Sequence, residues 1–404
     1  MELKLGYKQT EVGVIPKEWD VKKLGELGKV VRGGSPRPAG DPRYFNGTFI
    51  PWLTVASLTN IPINQLFVSD TLGKLTEEGA KHSRTLQQGT LVIVNSGAKT
   101  LGVAKVLSIT CCANDGIAAL VDQSDGDKRF LCYYLNSQTK RLREVVAAGN
   151  DQLNLNTDRI SLIAVPFPKD NEQRTIAGAL EDVDALIGAL DQLIGKKRDL
   201  KQAVMQQLLT GKKRLPGFHG KWEVVQLGQV VEIRKGELIT EEVAIPGEVP
   251  VVAGGKSPSY FHKHSNRTGT TITISGSGAS AGYVAFFEIP IFASDCSTIS
   301  EGKSYSIKFI YFTMKLSQEK IYRAQTGGAQ PHIHPNDLRL LEVNLPVDVE
   351  EQSAIAEVLS DMDAEITGLE ARRDKTCALK QGMMQELLTG RIRLVKPEAV
   401  HQTC

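Results

Sequence analysis

What the sequence lacks narrows its function before any motif does. No apolar run approaches the ~18 residues that a membrane span requires, and the opening MELKLGYKQTEVG has no apolar core followed by a small-residue cleavage site. A cytoplasmic location is expected. The six cysteines, Cys111, Cys112, Cys132, Cys296, Cys377 and Cys404, include no C-x-x-C pair and signal neither a disulfide framework nor a zinc ribbon. They are expected to be reduced and to pack as small hydrophobes. Catalytic signatures are missing as well: there is no G-x-x-x-x-G-K-[ST] loop, no G-x-S-x-G elbow and no H-E-x-x-H helix. Nor is there a convincing set of nuclease carboxylates flanking a lysine, or an Asn-Pro-Pro-Tyr-like stretch of an amino-methyltransferase. A chain without these is expected to bind or to scaffold.

With 41% hydrophobic, 6% aromatic and 23% charged residues, the composition is that of a soluble globular protein, and 404 residues suffice for two or three domains. The net charge is +2, spread as +4 over residues 1–165, +2 over 166–214, 0 over 215–345 and −4 over 346–404. Uniform basicity is therefore excluded, and any contact with nucleic acid must come from local patches of cations.

What is present is a duplication. MQQLLTGKKRL at 205–215 recurs as MQELLTGRIRL at 384–394, and the ungapped offset of 179 extends back to residues 172 and 351. It matches Gln173 with Gln352, Ile176 with Ile355, Leu180 with Leu359, Asp184 with Asp363 and Lys201 with Lys380. PKEWDVKKLGEL recurs as HGKWEVVQLGQV at an offset of 203, and GTLVIVNSGAKTLGVAKV at 89–106 corresponds to GTTITISGSGASAGYVAF at an offset of 180. The order is globular part, helix, globular part, helix.

The repeated segments are helices by their spacing. Ile176, Leu180, Val183, Ile187, Leu190 and Ile194 alternate steps of four and three, as do Ile355, Leu359, Met362, Ile366 and Leu369 in the second copy. A 3.5-residue period aims a narrow apolar seam at a partner helix. Lys197, Lys201, Arg373 and Lys380 interrupt that seam, either as register-fixing polar positions or as the solvated end of a fraying helix. Asp170 with Gln173, and Asp348 with Glu351, are expected to form capping boxes. Thr210-Gly211 and Thr389-Gly390 supply C-terminal stops, after which Lys212, Lys213 and Arg214, or Arg391 and Arg393, face the negative end of the helix dipole.

The globular parts contain short β-branched runs, TLVIV, VAKVL, TTITI and YVAFF, and one expected helix each, LCYYLNSQTKRLREVV and FIYFTMKLSQEKIY. The fold class expected is α+β, with two strand-dominated domains alternating with two long helices. GSGAS at 276–280 nearly satisfies a dinucleotide fingerprint, but a strand rather than a helix follows, so a hairpin turn is the better reading. His262 with His264, and His332 with His334, could each be half of a metal site. No third ligand stands near, so no metal is expected. Trp19 and Trp222 are assigned to packing.

TEVGVIPKEWDVKKLGEL, the two stretches VPFPKDNEQRTIAGAL and NLPVDVEEQSAIAEVL, and the closing LLTGKKRL and LLTGRIRL together resemble the specificity subunit of Type I restriction-modification enzymes. The likeness covers nearly the whole chain, and its motif of Pro, Glu-Gln and Ile is matched twice, at Pro168, Glu172-Gln173 and Ile176 and at Pro346, Glu351-Gln352 and Ile355. The resemblance implies two target recognition domains, 1–165 and 215–345, two helical spacer regions, 166–214 and 346–395, and a tail, 396–404. It implies that each domain reads half of a bipartite, asymmetric site in double-stranded DNA. The helices, packed antiparallel with internal pseudo-two-fold symmetry, would set the spacer and dock two modification subunits, and restriction subunits would complete the complex. The chain itself would be non-catalytic and bind no cofactor, with the methyl donor S-adenosylmethionine held by the modification subunits.

Loop position and side-chain chemistry select the candidate DNA contacts. In the first domain they are Arg32, Ser35, Arg37, Arg43, Tyr44, Lys99 and Thr100; in the second they are Lys235, Lys256, Ser257, Tyr260, His262, Lys263, Ser277, Gln330 and His332. Two rivals stand against this reading: a stand-alone DNA methyltransferase or nuclease, and a coiled-coil scaffold without a DNA role.

Overall fold

The structure, a computed structural model, describes residues 5–97, 99–147, 155–327 and 330–395; the expected tail and Cys404 lie outside them. It divides into two compact units, Met1–Gln192 with Ala371–Cys404, and Leu193–Glu370, so that both long helices contribute to both.

In the first unit, a five-stranded sheet runs in the order Lys29–Arg32, Ile117–Val121, Leu91–Val94, Ala104–Leu107, Phe67–Val68. Leu91–Val94 shows why such a run makes a central strand. With period-2 alternation, Leu91 and Ile93 enter a core with Phe130 and Leu131, while Val92 and Val94 enter another with Leu53, Leu58 and Leu86. A four-stranded sheet, Gly73–Leu75, Phe45–Leu53, Cys111–Ala113, Arg84–Leu86, contributes to that second core.

The second unit repeats the plan with Arg234–Lys235, Cys296–Ser300, Thr271–Ser275 and Val284–Phe287 in one sheet. Its further sheet is Tyr260–His262, Val249–Val252, Phe292–Ala293, and the core there is smaller: Val252, Ile291, Ala293 and Cys296. The GSGAS stretch is the turn at Gly278–Ser280 joining two antiparallel strands, as its context required. Each expected domain helix is instead two. Lys128–Ser137 stops before Thr139–Ala147, and Ile307–Leu316 before Gln318–Arg323. At the first break the Ser137 hydroxyl donates to the Tyr134 carbonyl, the local competition for backbone acceptors that disfavours serine inside helices.

The repeated Leu-Gly follows from packing. Leu24 and Leu227 are fully buried at the start of short helices, and a Cβ on Gly25 or Gly228 would lie 3.0 Å from Ser161 Cβ or 2.7 Å from Arg339 Cβ. Glycine lets a second short helix close on each.

The long helices, Asp170–Leu208 and Val349–Leu387, have 39 residues each, about 58 Å at ~1.5 Å per residue. They pair antiparallel. Within the first unit Asp184 meets Lys380 at 2.7 Å and Asp191 meets Arg373 at 3.6 Å; within the second Lys197 meets Glu365 at 2.6 Å and Lys201 meets Asp363. As one residue number rises its partner's falls. The seam residues Ile176, Leu180, Ile187, Leu190, Ile194, Ile355, Leu359 and Ile366 are buried, and Val183, Met362 and Leu369 are half-buried. The four cations that interrupt the seam are thus interhelical ion pairs and not a fraying end.

The expected capping boxes do not close, because Gln173 and Glu351 are taken elsewhere, although Asp348 Oδ1 still caps its helix by accepting from the Glu350 N–H at 2.9 Å. Gln173 accepts from the Asp127 N–H at 2.8 Å and donates to the Pro168 carbonyl at 2.8 Å. Gln352 likewise accepts from the Ser306 N–H at 2.9 Å and donates to the Pro346 carbonyl at 2.8 Å. Asp127 and Ser306 head the helices Lys128–Ser137 and Ile307–Leu316, so each glutamine ties a long helix to its domain. Glu172 and Glu351 do the same through tryptophan. Trp19 Nε1 donates to Glu172 at 2.9 Å, and Arg393 grips the same carboxylate with Nε and with Nη2 at 2.8 Å. Trp222 Nε1 donates to Glu351 at 3.4 Å, and Arg214 grips it at 2.5 and 2.6 Å. The tryptophans therefore do more than pack, and of the arginines expected at the dipole Arg214 and Arg393 serve the other helix, while Arg391 lies 3.5 Å from Glu386 of its own.

The Asp184–Lys380 pair, with side chains 8% and 11% exposed, also takes the Tyr133 hydroxyl at 2.8 Å. Lys380→Met should leave Asp184 buried without its cation and lower stability by about 3–5 kcal/mol, whereas the double change with Asp184→Leu should recover most of the loss. Denaturant unfolding of the full chain and the two variants checks this, and an equal loss in the double variant would count against it.

Candidate nucleic-acid interface

In the first domain, the strand Lys29–Arg32 runs into a glycine pair that crosses a second loop at close range. A Cβ on Gly33 would meet Asn114 O at 2.1 Å. Gly33 N–H donates to the Ile117 carbonyl at 2.8 Å and Gly34 N–H to the Ala113 carbonyl at 2.9 Å. This crossing brings Asp115 against Arg32, Ser35 and Arg37. The Ser35 hydroxyl donates to Asp115 Oδ1 at 2.6 Å, Arg32 Nε donates to the Asp115 carbonyl at 2.7 Å, and Nη2 of Arg37 and of Arg32 lie 3.6 and 4.0 Å from Asp115 Oδ2. The Ser35 hydrogen bond holds the Asp115 carboxyl below its ordinary range; burial opposes it and the two guanidinium groups assist. The hairpin carrying Lys99 and Thr100 lies beside this cluster, since the Asn95 N–H donates to the Gly116 carbonyl at 3.0 Å. Lys99 is exposed, and the Thr100 hydroxyl bonds the Ser96 carbonyl at 3.1 Å.

The same crossing recurs in the second domain. A Cβ on Gly236 would meet Ser294 O at 2.1 Å, and Gly236 and Glu237 N–H donate to Cys296 and Ala293 at 2.8 and 2.9 Å. Asp295 stands where Asp115 stood, and the Ser277 hydroxyl donates to its Oδ2. Ser277 bridges to His332, and the Gly278 N–H donates to the Pro331 carbonyl at 3.0 Å, which places Gln330 beside them. Lys235 is joined to the group through its carbonyl, which accepts from Arg267 Nη2 at 3.0 Å. Lys256 and Ser257 are exposed just past Gly254, whose Cβ would lie 2.7 Å from Ser277 O, and Lys256 Nζ sits 5.6 Å from the Tyr283 ring centre.

Other candidates lie apart. Arg43 forks onto Asp41 at 2.7 to 3.1 Å beside Tyr44, whose carbonyl accepts from Thr76 N–H, at the far sheet of the first domain. Tyr260, His262 and Lys263 lie at the end of the sheet built around Val249–Val252. The Tyr260 hydroxyl is spent on the Ile239 carbonyl at 2.5 Å. His262 corrects the expectation most clearly. It is buried, its Nδ1 accepts from the Ile245 N–H at 3.0 Å, and its ring packs on Phe292 and His264, so it serves the fold. Among the described residues no cluster of three metal-binding side chains occurs.

Arg84, Arg267, Asp115 and Asp295 were not among the expected residues. Arg84 Nε donates to the Arg32 carbonyl at 2.7 Å, as Arg267 does to that of Lys235, but the two arginines share no common offset and left no signal. The aspartates did leave one. Ala113-Asn114-Asp115 and Ala293-Ser294-Asp295 continue the offset of 180. Burial pushes the thiols of Cys111, Cys132 and Cys296 up to about 12, so they are inert. Among the described residues no helix is long and apolar enough to cross a membrane.

Two homologous mixed domains, each tied to a long helix by the same carboxylate and amide and each carrying a cation-bearing loop crossing, define a duplicated binding protein. The family model for the Type I restriction modification DNA specificity domain matches residues 16–196 and again 219–376, and the chain belongs to that family. It is similar to the Type I restriction enzyme MjaIX specificity subunit of Methanocaldococcus jannaschii, 26% identical over 59% of each chain, so the chain spans under two thirds of that relative. It is also similar to the MjaVIII specificity subunit of the same organism, 24% identical over 94% of each. Its fold resembles the crystal structure of a Type I restriction-modification S subunit from M. genitalium, with a TM-score of 0.64 and 16% identity over 96% of this chain and 98% of that one. A second structure, from work on complex assembly of the type I R-M system, gives a TM-score of 0.57 at 14% identity, covering 94% of this chain and 99% of that one.

Replacing His262 by Ala should cost about 0.5–1.5 kcal/mol by removing the hydrogen bond to the Ile245 N–H, with a further loss from the buried ring's contact with Phe292. It should leave the affinity of the assembled complex for DNA and its salt dependence unchanged, as equilibrium unfolding and binding titrations at two salt concentrations would show.

Proposed function

We propose that each domain reads one half of a bipartite, asymmetric site in double-stranded DNA, and that the two long helices set the unread spacer and dock two modification subunits. The observation that carries this reading is the repetition, in both halves, of one domain-to-helix junction beneath two different loop surfaces. Such a chain mimics a homodimer while letting its halves diverge, so it can match the approximate dyad of duplex DNA yet specify unlike half-sites. Positioning falls to phosphate contacts and specification to base edges, which suits loops that carry arginine, serine and lysine together.

In this reading the chain is non-catalytic and cytoplasmic. S-adenosylmethionine and the adenine chemistry belong to the modification subunits, and restriction subunits complete the nuclease. The stand-alone methyltransferase gains nothing from the family match, and a scaffold without a DNA role conflicts with a DNA specificity family.

The purified chain should transfer no methyl group to any duplex, and transfer should begin when modification subunits are added. Methyl transfer by the chain alone, measured with labelled donor, contradicts the assignment. Inserting one heptad into each long helix, at matched positions, should lengthen the preferred spacer in a panel of duplexes while leaving both half-sites as they were. Altered half-site bases would refute the ruler.

A further inference from the structure

The loop crossing is conserved between the two domains, but its charge loading is not. Asp115 and Asp295 occupy equivalent positions, each accepting from a serine hydroxyl, Ser35 or Ser277. Only Asp115 faces arginines: Arg37 at 3.6 Å and Arg32 at 4.0 Å approach the same oxygen, Oδ2, with guanidinium side chains 74% and 59% exposed. Asp295 makes no ion pair among the described residues, and the nearby Arg267 spends its donors on Thr298 Oγ1 at 2.9 Å, the Asn266 carbonyl at 2.7 Å and the Lys235 carbonyl at 3.0 Å. The carboxylate thus belongs to the common scaffold, and the arginines to the first domain alone.

An acidic group on a DNA-facing surface repels phosphate, so its presence at this point needs a compensating role. At 3.6 to 4.0 Å the guanidinium groups are attracted to Asp115 Oδ2 without being consumed by it. Arg32 spends its Nε on the Asp115 carbonyl at 2.7 Å, while the Nη groups of both exposed arginines face solvent and the carboxylate restrains their rotamers. That combination suits readout of a guanine, whose O6 and N7 accept a planar fork, better than it suits a phosphate, which a loosely hydrated cation satisfies from many angles.

Resting on the DNA-reading function proposed above, we infer that Asp115 is a positioning residue that orients Arg37 and Arg32 against the major-groove edge of a guanine in the half-site read by the first domain. The second domain, holding the same aspartate without free arginines, specifies its bases by other groups.

The test uses the full chain assembled with its modification subunits. Its preferred duplex is selected from randomised DNA, and each guanine is then replaced singly by 7-deazaguanine, which lacks the N7 acceptor. One guanine in one half-site should show a loss of roughly tenfold in affinity. Arg37→Ala, Arg37→Lys and Asp115→Asn should each lose discrimination at that guanine, with the other half-site unaffected and the salt dependence nearly unchanged. Uniform weakening over all positions, with a salt slope reduced by about 1, would make Arg37 a phosphate contact and overturn the inference. Discrimination equal to wild type in Arg37→Ala, which is exposed and should fold normally, would also overturn it. If the wild-type complex prefers no duplex at all, it is the DNA-reading function that fails.

Discussion

The structure depends on one buried carboxylate used twice. Glu172 and Glu351 are withdrawn from water, and an isolated charge there would be costly unless paired and hydrogen-bonded. Each receives an indole N–H from the strand end of its own domain and a bidentate arginine from just beyond the end of the other long helix. Glu172 therefore joins pieces of chain around residues 19, 172 and 393, Glu351 joins its helix to the single stretch that holds Arg214 and Trp222, and the adjoining Gln173 or Gln352 adds the backbone of a further piece. Because the arginine fork fits a carboxylate in one plane, the junction fixes orientation as well as proximity. The Pro, Glu-Gln, Ile motif is the sequence trace of this junction: proline supplies a carbonyl, glutamine takes it, glutamate takes tryptophan and arginine, and isoleucine enters the core.

The second constraint is the row of interhelical ion pairs. Asp184 with Lys380 and Asp363 with Lys201 are the same pair in the two halves, and each lysine lies 5.2 Å from an aromatic ring at the same repeat position, Tyr133 or Phe312. The tyrosine hydroxyl bonds Asp184, an interaction the phenylalanine cannot make. The first pair is buried and the second has a half-exposed aspartate; neither adds much net stability over apolar packing, but both penalise a shifted register, which an alternating apolar seam alone tolerates.

Much of this was visible in the sequence. The duplication, the two helices and their 3.5-residue seam follow from spacing, since Ile176 to Ile194 and Ile355 to Leu369 repeat at fixed intervals. What spacing could not show is where a side chain goes when it leaves its own element. Gln173 and Glu351 match a capping box locally, yet their partners lie 46 and 137 residues away in the chain. The break at Ser137 depends on a hydroxyl finding a carbonyl one turn back. In the candidate interface, exposed cations in glycine-rich loops were identifiable, and Arg32, Ser35 and Arg37 do converge. The carboxylate that gathers them, Asp115, carries a charge opposite to that expected of a surface meeting phosphate, so chemistry alone does not select it. His262 shows the converse, a polar residue whose chemistry suited a ligand but whose ring is consumed by the fold.

Joined, these features describe one chain carrying two separately diverged loop surfaces on a repeated junction, which the proposed function assigns to two unlike half-sites. The most direct measurement of that claim is base-resolution mapping of modified adenines in a host carrying the complete system. The account predicts two unlike half-sites separated by a gap of constant length and free composition. A single continuous site, or half-sites at variable separation, would contradict it.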